Sequence, residues 1–100
     1  MPSDMAATAP LPDLVLYSRP GCGLCDEARD IVQGLLEDRA ARSQPLARLT
    51  ERDITTDPAL ERDLFDRIPV LELADERLEL AISPARIRRW LADRLDTVRA

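Results

Sequence analysis

Apolar positions along the chain fall into blocks of two different periods. Leu14-Val15-Leu16-Tyr17 is a short continuous apolar run within Asp13 to Ser18, as expected of a strand buried on both faces, and Arg19-Pro20-Gly21 ends it. From Cys25 onward Ala28, Ile31, Val32, Leu35 and Leu36 recur three and four residues apart, which predicts a helix to about Ala41 with one apolar stripe. Gly34 inside it is a weakening by up to ~1 kcal/mol relative to alanine. Ser43-Gln44-Pro45 breaks the chain, and Leu46 to Ile54 reads as a second strand with Leu49 and Ile54 turned inward.

Asp57 followed by Pro58 is an N-cap with proline at the first helical position, so a short helix with Leu60, Leu64 and Phe65 on its apolar side follows. Ile68 to Leu73, a turn at Ala74-Asp75-Glu76 and Leu78-Glu79-Leu80 predict an antiparallel hairpin. Ser83 and Pro84 repeat the capping signature and open a last helix with Ile87, Trp90, Leu91, Leu95 and Val98 buried. The expected order is β-α-β-α-β-β-α: an α/β fold with a four-stranded mixed sheet, helices on both faces, a parallel first strand pair joined by a helical crossover and an antiparallel second pair. Met1 to Pro12, with three prolines, is expected to be a flexible leader, and residues 13–100 the folded domain.

One hundred residues suit one domain, and 45% apolar with 33% charged residues suit a soluble globular chain rather than a disordered one. The net charge of −5 argues against a nucleic-acid or anionic-membrane surface. No run approaches the roughly 18 to 20 apolar residues that span a bilayer, and the N-terminus lacks the pattern of a signal peptide. The cytoplasm is the expected compartment and a monomer the expected state.

Two cysteines cannot build a disulfide framework, but Cys22-Gly23-Leu24-Cys25 places both at a strand-to-helix junction. The first sulfur then sits at a helix N-terminus, where unpaired N–H groups and the helix dipole favour a thiolate; the second lies one turn on and can reach it. Cys22 is the expected nucleophile and Cys25 the resolving thiol. Arg19 adds positive charge nearby, whereas Asp26 and Glu27 act against it if they face the sulfur. With no histidine and no third cysteine, a zinc site would need carboxylates or a second subunit. An inert buried pair and a purely local disulfide are the other readings of these cysteines.

Pro69 opens a strand and has no N–H to give it. It reads either as an edge-strand proline or helix stop, or as a cis bond that turns the Ile68 backbone outward beside the sulfurs, where an extended thiol substrate can pair with it. Asp53 reads as a turn cap or as a carboxylate tuning Cys25. Arg86, Arg88 and Arg89 read as a solvated face, Arg94 and Arg99 as answering the helix C-terminal dipole, and Asp38 with Arg42 as a helical ion pair.

The stretch from Tyr17 to Cys25, the helix after it and Arg67-Ile68-Pro69-Val70-Leu71 resemble the glutaredoxins, in particular the glutaredoxin-like proteins of bacteria, over about residues 13 to 95. The resemblance implies a thioredoxin-like fold and a thiol-disulfide oxidoreductase working through Cys22 and Cys25. It implies further that Pro69 is the family's cis-proline, and that Arg19, Tyr17 and Ile68 contact glutathione or another disulfide substrate. No bound cofactor is implied; glutathione is the candidate electron donor, and the partners are a small thiol or a protein disulfide. The chain reads Leu80-Ala81-Ile82-Ser83-Pro84 where glutaredoxins carry a Gly-Gly turn and polar pair, so only Ser83 offers comparable groups to a substrate. The alternative is a non-catalytic thioredoxin-fold interaction module or redox sensor.

Overall fold

In a computed structural model that describes residues 11–96, the chain forms β1 (Asp13–Ser18), α1 (Gly23–Ala41), β2 (Arg48–Asp53), a single 3-10 turn (Ile54–Thr56), α2 (Pro58–Leu64), β3 (Val70–Leu73), β4 (Glu76–Leu78) and α3 (Pro84–Asp96). The sheet runs β2-β1-β3-β4. β1 pairs in parallel with β2 and antiparallel with β3, which pairs antiparallel with β4. The mixed sheet and the order of elements follow the hydrophobic pattern.

Alternation along the strands divides the core in two, because successive side chains leave a strand on opposite faces. Leu14 and Leu16 of β1, with Leu71 and Leu73 of β3 and Leu78 of β4, pack against Ala28 and Val32 of α1 and Ile87, Trp90, Leu91 and Leu95 of α3. On the other face Tyr17 and Val70 join Ile54 and Leu64, with Val15, Leu60 and Ile68 packed against them. β1 is covered on both sides, and its apolar run is the consequence of that. β2 lies at the sheet edge, where Thr50, Glu51 and Arg52 are exposed; Leu49 is half-buried and Ile54, turned inward as expected, belongs to the 3-10 turn rather than the strand.

Capping follows the sequence signals. The Asp57 carboxylate accepts from the N–H groups of Ala59 and Leu60, and the Ser83 hydroxyl from that of Arg86. Asp53 is the cap of the 3-10 turn, accepting from the N–H and hydroxyl of Thr55, so its turn-capping role accounts for it. Arg42 pairs with Asp38 at 3.2 Å.

Three expectations are corrected. Phe65 is exposed, not buried: α2 ends at Leu64, and Phe65 sits about 100° round the helix from the Leu60–Leu64 stripe. β4 starts at Glu76, expected in the turn, and ends at Leu78, so Glu79 and Leu80 lie beyond it; Leu80 is half-exposed and in the left-handed backbone region at φ 50°. Arg94, in the last described turn of α3 as expected, also pairs with Glu76 of β4 at 3.2 Å and lies over the Trp90 ring. Pro12 is tied to the sheet, its carbonyl accepting from the Arg48 N–H at 2.8 Å. Met1 to Pro10, Val98 and Arg99 lie outside the described residues.

Arg39 is a buried cation that the sequence does not announce. Its guanidinium donates to the Pro45 carbonyl and pairs with Asp96, tying the turn after α1 to the end of α3. The second core cluster is the smaller one, so each of its members carries more of that face. Leu64→Ala is expected to cost about 2–5 kcal/mol in urea unfolding, whereas Phe65→Ala should stay within about 0.5 kcal/mol of the parent; equal losses would place Phe65 back in the core.

Candidate functional site

The end of the sheet where β1 and β4 finish and β3 begins brings together the turn into the cysteines, Ile68-Pro69 and the segment after β4. Tyr17 is opposite Val70 in the β1–β3 register, so Pro69 lies one step beyond the paired strands on the side from which the chain leaves for Cys22. Gly21 makes the turn into the helix with φ 77°, a left-handed conformation in which a side chain would be strained. Cys22 then serves as N-cap of α1 in an extended conformation.

Cys22 and Cys25 are joined in a disulfide with their Cα atoms 5.2 Å apart. The Cys22 sulfur also accepts from the Cys25 N–H at 3.1 Å, one of the helix-start donors without an intrahelical partner. Exposure is unequal: Cys25 is completely buried, Cys22 is partly accessible, and Leu24 between them is 48% exposed. An incoming group therefore meets Cys22 first. Asp26, next in the chain, pairs with Arg29 at 3.1 Å, which offsets its negative charge beside the sulfurs.

Arg29 belongs to a chain of polar contacts that local spacing does not reveal. Its guanidinium makes two hydrogen bonds, at 2.7 and 2.6 Å, to Glu51 on β2, and Glu51 also accepts from the buried Ser18 hydroxyl at 2.7 Å. The first turns of α1 are thus fixed to the ends of β1 and β2. The arginine and serine hold the Glu51 carboxyl below the ordinary carboxylate range, Arg29 contributing most.

The Ile68-Pro69 bond is cis. The Ile68 N–H donates to the Leu64 carbonyl at 3.2 Å, so of its backbone groups the carbonyl is left for a substrate. Arg67 and Pro69 carbonyls on either side accept from the N–H groups of Leu80 and Ala81. Tyr17 is placed in the core, not at the surface. Its hydroxyl donates to Glu72 at 2.6 Å, Arg77 lies over its ring, and burial followed by the Glu72 contact pushes its pKa up. Arg19 is exposed and lines a groove with Glu61, Arg62 and Phe65. The Ser83 hydroxyl is occupied as a helix cap. Among the described residues no group of three or more potential ligands gathers to hold a metal, and no helix is long and apolar enough to cross a membrane.

A Cys-x-x-Cys disulfide at the start of the first helix, a cis-proline just before the third strand and a β2-β1-β3-β4 sheet define a protein of the thioredoxin fold. Thioredoxin 1 of Thermosipho africanus shares that fold at 12% identity with a TM-score of 0.63, over 88% of this chain and 99% of its own. The chain belongs to the glutaredoxin-like domain family (DUF836), whose profile matches residues 13–92 and so includes both cysteines and Pro69. Two further structures are similar. A structural-genomics target protein of X. campestris is 31% identical over 80% of this chain and 96% of its own, with a TM-score of 0.65. Protein Ne2328 of Nitrosomonas europaea is 23% identical over 83% and 94%, with a TM-score of 0.56. No curated protein matches the chain.

Because the folded state holds Glu51 ionised below its usual range, the stability it contributes is present at neutral pH and lost as pH falls through that lowered value. Glu51→Gln is expected to lower stability at pH 7 by up to about 1 kcal/mol, the pair being partly exposed, and to flatten the acid side of the stability profile. Urea titrations at neutral and acid pH measure both; an unchanged acid slope would contradict the linkage.

Proposed function

We propose that the chain is a thiol-disulfide oxidoreductase that uses Cys22 and Cys25 as a dithiol. The observation that carries this reading is the unequal placement of two bonded sulfurs at one helix start, with Cys22 accessible and Cys25 buried behind it. In the reduced protein the N-terminal N–H groups of α1 stabilise Cys22 as thiolate. That thiolate attacks a substrate disulfide, forms a mixed disulfide and expels one substrate thiolate. Cys25 then gives up its proton and attacks the Cys22 sulfur, releasing the second substrate thiolate and leaving the Cys22–Cys25 disulfide. Two electrons pass from dithiol to substrate, and a thiol reductant restores the dithiol.

Incubation of reduced wild type and of Cys22→Ser and Cys25→Ser proteins with a model disulfide, followed by intact-mass measurement, tests the order of events. Wild type should lose two hydrogens reversibly, Cys25→Ser should accumulate a stable adduct and Cys22→Ser should stay unmodified. An adduct on Cys22→Ser with none on Cys25→Ser would reverse the roles. Reversible oxidation without turnover would favour a redox-responsive interaction module.

A further inference from the structure

Among the described residues five large apolar side chains are exposed: Leu11, Leu24, Phe65, Leu80 and Ile82. Four of them stand at the sheet end that carries the cysteines. Leu24 lies between the sulfurs, and Phe65 leads into Ile68-Pro69. Leu80 and Ile82 flank Ala81, in a segment bonded to that same stretch by the Leu80 N–H to Arg67 and the Ala81 N–H to Pro69, at 2.9 and 2.8 Å. Leu80 is the most telling of the four. A branched side chain at φ 50° is held in a conformation that favours glycine, yet Leu80 lies outside both core clusters and is half exposed, so core packing does not account for its size.

The polar features of this end suit a polypeptide. The Ile68 carbonyl has no partner among the described residues, while both neighbouring carbonyls are occupied; it is an open acceptor for the backbone N–H of an extended segment. Arg19 and Arg62 line one groove with Phe65 and Glu61, and among the described residues neither guanidinium is paired with a carboxylate. They leave a local excess of positive charge in a chain of net charge −5. Glutathione fits less well, being charged at both ends and lacking an apolar side chain. At the start of α3 Pro84 has no N–H and the Arg86 N–H is taken by the Ser83 hydroxyl, so a charged end lying on Leu80 and Ile82 finds fewer donors there than a helix start ordinarily offers.

We propose that the disulfide substrate is an extended segment of another protein, with an apolar residue beside its cysteine that packs on Leu80 and Ile82 and an acidic one that meets Arg19 and Arg62. This rests on the exchange chemistry proposed above. The test uses reduced full-length protein and three chromogenic mixed disulfides of one aromatic thiol: with a hexapeptide whose cysteine is flanked by leucine and glutamate, with the same peptide carrying serine in both places, and with glutathione. The leucine-glutamate peptide should release the thiol about tenfold faster than glutathione. Leu80→Gly and Ile82→Ser should each pull that ratio toward one. Leu80→Gly relaxes the backbone, so a loss there is not a loss of fold. Equal rates for the three compounds, or a preference for glutathione, would overturn the substrate assignment and leave disulfide exchange standing. Failure to react with any of them would remove the exchange chemistry and this proposal together.

Discussion

Everything at the candidate site depends on β1 being held on all four sides. It is hydrogen-bonded to β2 on one edge and β3 on the other, and its two faces are covered by separate apolar clusters. A strand so enclosed can slip by one residue only by moving Leu14 and Leu16 out of one core and Val15 and Tyr17 out of the other. Its register therefore fixes where Ser18 ends and where the Arg19-Pro20-Gly21 turn begins. The position of Cys22 relative to Pro69 is inherited from packing several residues away.

The helix start is fixed separately, by polar contacts. Glu51 joins Arg29 of α1 and Ser18 of β1 into one network, so the turn carrying the cysteines is anchored to the sheet on both sides. Partly exposed ion pairs contribute little to stability singly. Their value here is geometric: they limit how α1 can tilt against the strands that define the site.

Much of this was legible in the amino-acid order because the relevant signals are local. The apolar run of β1, the Asp57-Pro58 and Ser83-Pro84 caps and the Cys22-Cys25 spacing each act within a few residues, and β1 and the three helices formed where these signals place them. What stayed hidden depends on distant partners or on the last turn of an element. Arg29 and Glu51 are 22 positions apart, Tyr17 and Glu72 are 55 apart, and no periodicity links them. Phe65 and Leu80 look like core residues by composition; one falls just after a helix stripe ends, and the other adopts a backbone conformation that a leucine does not advertise.

Arg39 has a consequence for the boundary of the folded unit. Its guanidinium is shielded from water and depends on Asp96, the last described residue of α3, for its countercharge. Asp96 itself is exposed, so removing it would leave the buried Arg39 guanidinium without its countercharge while removing no buried carboxylate. Asp96 is thus a counterion as well as a helix residue, and a chain cut just before it would leave the Arg39 guanidinium without its partner.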